Sequence, residues 1–197
     1  MAEEPDDDAL IAGFFGRSLV TLEGAAQDRE LLRLISAIAQ AIEGSLRAGG
    51  KLLIAGNGGS AADAQHLAAE FLSRYLVDRR PLPAVALTTD TSVLTAVGND
   101  FGFEHVFERQ VRGLGRSGDV FLAISTSGRS PNVLRALAAA RDMGLVTIGF
   151  SGAAETDMRG LCQHFLRVAS PETAIVQQIH MVAGHAICAL VERAILQ

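Results

Sequence analysis

Five short apolar runs, at 51–55, 84–87, 119–124, 146–150 and 165–168, constrain this chain more than any other feature. Each is bounded by Gly, Ser, Thr, Asp or Pro, and helical patterns fill the intervals, most clearly at 60–75 and 131–143. Short apolar runs without polar alternation suit strands buried on both faces. Strands that alternate with helices form a parallel sheet covered on both sides. The predicted fold is therefore α/β, a doubly wound five-stranded parallel sheet with helices on both faces. Ahead of it, 10–46 reads as helix, because Leu31, Leu34, Ile35, Ile38 and Ile42 recur at three- and four-residue spacing and Ala48-Gly49-Gly50 follows as a stop. A last helix is predicted over 173–195. Neither a linker nor a repeat interrupts the 197 residues. One domain over 1–197 is expected, of which about 1–48 is an N-terminal helical segment.

Composition narrows the function classes. The net charge of -5 provides no basic stripe to neutralise a phosphate backbone, so nucleic acid is not an expected partner. Cys162 and Cys188 lack metal-type spacing and indicate no disulfide framework, which fits a reducing, cytoplasmic compartment. Cys188 lies in an apolar helical run and reads as a buried thiol. The acidic start, 1–8, has no apolar stretch of the secretory kind. No uninterrupted apolar run approaches the roughly 18 residues of a membrane span, so no membrane association is expected.

In doubly wound sheets, ligands bind beyond the carboxyl ends of the strands. Gly56-Asn57-Gly58-Gly59-Ser60 follows the first strand. Its glycines permit positive φ and close backbone approach, and Ser60 is placed to cap the next helix. A plain Gly-rich turn has the same composition, and Ala61 breaks the G-x-G-x-x-G dinucleotide spacing. Ser125-Thr126-Ser127-Gly128-Arg129-Ser130-Pro131 follows the third strand. Hydroxyls and backbone N–H groups converge there on a helix start, with Ser130 as N-cap and Pro131 as first helical residue. That combination makes a phosphate site.

His66, Glu70 and Arg74, at i, i+4 and i+8, are expected on one helix face. His and Glu one turn apart can share a divalent ion, although a solvated face with a chance histidine has the same spacing. The last helix carries Gln177, His180 and His185 in an otherwise apolar stretch, which favours a site over a lone core histidine. Gly98-Asn99-Asp100 follows a short helical stretch and reads as a turn.

Taken in order, "AGNGGSAADAQHLAAEFLSRY", "PAVALTTDTSVLTAVGNDFGFE", "GDVFLAISTSGRSPNVLRAL" and "QQIHMVAGH" resemble the sugar isomerase (SIS) family, and within it the bacterial phosphoheptose isomerases. The likeness runs from about 31 to 195. It implies a flavodoxin-like SIS fold and a homotetramer with active sites between subunits. It also implies one zinc ion per subunit and isomerisation of sedoheptulose 7-phosphate to D-glycero-D-manno-heptose 7-phosphate through an enediol. Heptose supply for lipopolysaccharide or another surface polysaccharide is the implied pathway. Carried over by position, Asn57, Gly58, Gly59, Asn99 and Asp100 would bind substrate. Ser125, Thr126, Ser127 and Ser130 would bind its phosphate. His66, Glu70, Gln177 and His185 would bind zinc, Gln177 and Glu70 would also face substrate, and Arg74 would support the site. Glu70 and His185 would serve the proton transfers, so either coordination changes during turnover or one of their roles belongs elsewhere.

Some members carry an acidic residue three positions before the glutamine. Here that position is Ala174, and the nearby Glu172 is not assigned its role. A catalytically silent relative that associates with a replication initiator lacks the matching Glu and His, both present here. Sugar-phosphate-sensing SIS regulators usually add a DNA-binding domain, for which this chain has no room.

One spacing stands out within the implied zinc set. Gln177 and His185 are eight residues apart, about 12 Å along a regular helix, whereas His66 and Glu70 are separated by about 6 Å. An irregular helix start, a neighbouring subunit, or a substrate role for Gln177 would each resolve it. The expectation adopted is a site built across two subunits, with His180 beside it and not a ligand.

Overall fold

A computed structural model of the chain describes residues 6–197, so 1–5 of the acidic start lie outside the described residues. The strands are β1 (Leu52–Gly56), β2 (Ala84–Ala86), β3 (Val120–Ile124), β4 (Val146–Ser151) and β5 (His164–Arg167). All pair in parallel, in the order β2-β1-β3-β4-β5. This is the flavodoxin-like order, and the chain reverses direction across the sheet between β1 and β3. The helices are α1 (Asp7–Gln27), α2 (Arg29–Arg47), α3 (Gly59–Leu72), α4 (Thr91–Asp100), α5 (Val106–Leu114), α6 (Pro131–Asp142) and α7 (Thr173–Ile195).

Successive strand residues feed two cores. Leu52, Ile54, Leu122 and Ile124 join α2, α3 and α7 on one face, whereas Leu53, Ala55, Phe121 and Ala123 join α5 and α6 on the other. Every residue of β1 and β3 is buried, which is why neither run shows polar alternation. Burial of a side chain such as Phe121 or Phe150 stabilises the fold by about 1.5–3 kcal/mol.

Three local expectations are corrected. The helical stretch 10–46 is two helices, broken at Asp28, whose carboxylate accepts from the N–H of Glu30 and Leu31 and so caps α2. Ser60 does not cap α3; Gly58 does, at φ 57°, a left-handed conformation suited to glycine. Asn99 and Asp100 form no turn but complete α4, both exposed.

By length and mean hydropathy, α1 and α7 each reach the range of a membrane span, which the count of uninterrupted apolar residues did not register. α7 is half buried against the sheet and carries His180, His185 and Glu192. α1 is different. Only Ser18 is buried, and Leu10, Ile11, Phe15, Leu19 and Val20 are exposed.

Candidate functional site

α3 and α7 lie side by side and run in the same direction. A Cβ on Gly59 would collide with the Gln177 amide, one on Gly184 would come within 2.7 Å of Leu67, and Glu192 accepts from the N–H of Tyr75. Partners therefore ascend together along both helices, and Gly184 lets them approach closely. This register places Gln177 at the first turn of α3 and His185 beside His66.

His66 Nε2 lies 2.8 Å from His185 Nε2, and 3.5 Å from Glu70 Oε1. One ligand atom from each of the three residues falls within 4.8 Å of the others. Two imidazole nitrogens and a carboxylate oxygen, converging from two helices, are a donor set suited to a divalent ion such as zinc. Glu70 stands farther from His66 than His185 does, and 20% of its side chain is exposed. The expectation that Glu70 and His185 meet across an interface is corrected, since both come from one chain. Regular parallel packing is the reason.

Gln177 sits in the first turns of α7. Its amide lies against Gly59, seven residues and about 10 Å of helical rise before His66. Of the three ways to resolve its spacing from His185, this placement matches a substrate-facing role beside the glycine loop. Gly59→Ala should push the amide away. KM should then rise about 3- to 10-fold through a lost hydrogen bond. The melting temperature should hold, because alanine favours helix by about 1 kcal/mol. Steady-state kinetics with a thermal melt checks both, and an unchanged KM would remove Gln177 from the substrate contacts.

Arg74 is not on the face of His66 and Glu70. α3 ends at Leu72, and Ser73 departs from helix at φ -90°, ψ -99°. Glu192 draws the N–H groups of Tyr75, Leu76 and Val77 away from a helical path, leaving Arg74 exposed beyond it. Asn99 and Asp100 bond each other, Nδ2 to Oδ1 at 2.8 Å. Among the described residues neither hydrogen-bonds His66, Glu70 or His185.

The glycine loop and the loop after β3 flank the β1/β3 reversal. Asn57 and Asn132 exchange two amide hydrogen bonds, at 2.9 and 2.8 Å, and tie the first loop to the start of α6. Ser125 Oγ lies 3.1 Å from Ser130 Oγ and 3.5 Å from Ser127 Oγ. Ser130 occupies the N-cap of α6, yet its side chain makes no cap bond and turns to this cluster instead. Thr126 is half-buried and Ser127 exposed at the loop's outer side.

Two side chains escaped the motif reading. Asp63 lies on the stripe 59, 63, 66, 70, a helical spacing legible in the sequence. Burial raises its carboxyl above the usual value, nearby His66 opposes that, and its Oδ2 is buried without a hydrogen-bond partner. Tyr75 stacks on His185, with ring centroids 5.6 Å apart and planes at 23°. His180, by contrast, faces the interior. Its Nε2–H donates to Ser151 O at 3.2 Å, and burial pushes its pKa down to about 4, with that bond opposing. Glu172, at the N-cap of α7, pairs with Arg17 at 2.8 Å, so it is engaged away from the trio.

Residues 18–152 match the SIS domain family. A phosphoheptose isomerase from Bradyrhizobium sp. (strain ORS 278) is 57% identical over 190 residues, covering 96% of each chain. The solved structure of a phosphoheptose isomerase from Neisseria gonorrhoeae superposes with a TM-score of 0.89 at 40% identity, over 95% of this chain and all (100%) of that one. A phosphoheptose isomerase structure from Francisella tularensis gives 0.92 at 34% identity, over 96% of this chain and 100% of that one. Likeness of this extent, carried through both loops and both site helices, places the chain in the phosphoheptose isomerase family of SIS-domain proteins.

Proposed function

We propose that this chain is an aldose–ketose isomerase that converts sedoheptulose 7-phosphate into D-glycero-D-manno-heptose 7-phosphate, supplying heptose synthesis. The observation that carries the reading is the convergence of His66, Glu70 and His185 in a domain whose phosphate-type loop follows β3. A silent binding module would have no need of a carboxylate and a histidine brought together in this way.

The reaction takes a proton from C1 of the ketose, returns one to C2, and shifts a proton from the C1 oxygen to the C2 oxygen. Glu70 is the group for the carbon-bound proton, and His185 for the oxygen-bound one. Hydroxyls of Ser125, Thr126, Ser127 and Ser130, with the N–H of Asn132 at the start of α6, hold the phosphate end. Asn57 and the glycine loop, with Gln177 beside them, orient the sugar between the two. Zinc on His66, Glu70 and His185 would polarise the carbonyl and steady the enediolate charge.

An oligomer with shared sites accounts for two loose ends. α1 exposes Leu10, Phe15 and Leu19, and an apolar cleft of about 440 Å³ opens between α1, α2 and α7, lined by Leu22, Leu31, Ile35 and Val182. Self-association into a tetramer would cover these surfaces. Asn99 and Asp100, exposed at the end of α4, would then serve a neighbour's site. The unpaired Cys162 and Cys188 suit a cytoplasmic location.

The test is an isomerase assay on sedoheptulose 7-phosphate with and without a chelator. Turnover should appear, vanish on chelation and return with added zinc. No turnover by zinc-loaded protein would overturn the reading, and chelator-insensitive turnover would remove the metal from it.

A further inference from the structure

Glu192 is a carboxylate buried in an apolar helix, and the reaction above gives it no part. It is 3% exposed. Its oxygens accept the backbone N–H groups of Tyr75 at 3.0 Å, Leu76 at 2.7 Å and Val77 at 2.9 Å. Arg79 Nε approaches Glu192 Oε2 at 3.2 Å, with both side chains 3% exposed. The approach is an ion pair without hydrogen-bond alignment, since this Nε–H has no aligned acceptor. Burial alone would raise the Glu192 carboxyl. The three N–H groups and the Arg79 cation outweigh it and hold the carboxyl below the ordinary value.

What this pair holds is the chemistry. Glu192 follows His185 by seven residues, two turns along the same face of α7. The segment it pins brings the Tyr75 ring back over His185. One helix thus supplies both the histidine and the anchor for the ring that stacks on it. The same Arg79 donates to the carbonyls of Glu70 at 2.8 Å, Phe71 at 2.8 Å and Ser73 at 3.3 Å. Glu70 and Phe71 lie in the last turn of α3 and Ser73 is its C-cap, so the guanidinium closes the end of the helix that carries His66 and Glu70.

We propose that Tyr75, Glu192 and Arg79 are positioning residues that hold His185 and Glu70 in their working geometry. The proposal rests on the reading that those two residues act on metal and substrate. Tyr75 restricts rotation of the imidazole, which keeps Nε2 aimed at His66. Glu192 fixes Tyr75, and Arg79 fixes the turn below Glu70.

Three variants test it: Tyr75→Phe, Tyr75→Leu and Glu192→Gln. Leucine keeps apolar bulk but loses the ring, whereas phenylalanine keeps the ring. In a substrate-free and metal-free NMR spectrum, the His185 Cε1 proton should shift in Tyr75→Leu and stay in place in Tyr75→Phe. Zinc affinity, read by competition with a chromogenic chelator, should fall about tenfold in Tyr75→Leu and in Glu192→Gln. Turnover of Tyr75→Leu should drop about 3- to 10-fold with little change in KM, and Tyr75→Phe should restore it. A folded Tyr75→Leu protein with wild-type resonance, zinc affinity and kcat would overturn the proposal. So would a Tyr75→Phe variant as impaired as Tyr75→Leu. If Glu192→Gln fails to fold, the Tyr75 pair decides alone. Should wild type fail to turn over sedoheptulose 7-phosphate, the assigned reaction falls, while the metal-free resonance still decides the clamp.

Discussion

Glu70→Gln should lower kcat by about 10²- to 10⁴-fold while the fold and melting temperature stay as they are. The size follows from what is lost. An amide cannot take a proton from carbon at neutral pH, whereas a carboxylate can. The fold should survive because the substitution is near-isosteric and, among the described residues, the Glu70 carboxylate makes no side-chain hydrogen bond; its polar neighbour is His66 at 3.5 Å. Glu70 also sits among the residues proposed to hold zinc, so metal content must be measured on the same sample. Normal zinc with lost turnover assigns the loss to proton transfer. Lost zinc with turnover regained at high zinc assigns it to coordination. A second readout is independent of net turnover: in D₂O, exchange of the substrate's C1 hydrogen should stop in the variant. A wild-type kcat would remove Glu70 as the base.

The parts of this molecule set by local pattern were legible in the sequence, and the parts set by distant partners were not. β1, β3 and β4 stand out because both faces are covered, leaving runs such as Leu52 to Ala55 wholly apolar. The run at 84–87 exceeds β2 by one residue, Leu87, whose N–H still donates to Ile54 O past the strand's end. α5 went unread, although Val106, Phe107, Gln110 and Val111 are buried at helical spacing; nine residues give that period little room. The spacing of His66 and Glu70 announced a shared helix face, but nothing local shows that α7 runs parallel beside it. That register decides that His185 meets His66 and that Gln177 falls beside Gly59. Similarly, the early end of α3 depends on Glu192, more than a hundred residues further on. No pattern near Arg74 foretells that the helix stops before it.

The second large effect is expected at the phosphate loop. Ser125→Ala combined with Thr126→Ala should lower kcat/KM by about 10²- to 10⁴-fold, taking about 1.5–3 kcal/mol for each hydrogen bond to a charged group. Three features support a loss at this scale. Ser125 is buried at 5% exposure, and its hydroxyl gathers those of Ser127 and Ser130, so the donors are already oriented before an anion arrives. Ser130 leaves the N-cap of α6 without a side-chain bond, and with Pro131 lacking an N–H and those of Val133 and Leu134 already donating to Ser130 O, the N–H of Asn132 is what the helix start offers the same anion. Neutral hydroxyl and backbone N–H donors at a helix start can bind the anion without a lysine or arginine. Alanine fits both positions sterically, so the loop should keep its shape, held by Gly128 N–H to Ser125 O at 2.9 Å and Gly152 N–H to Thr126 O at 3.0 Å. Those backbone bonds survive the substitution, and circular dichroism should show no change. The loss should appear chiefly in KM, since the phosphate is gripped alike in the ground state and the transition state. Inorganic phosphate supplies the control. It should inhibit the wild-type enzyme competitively and lose that effect in the double variant. A double variant with wild-type KM and undiminished phosphate inhibition would place the phosphate elsewhere.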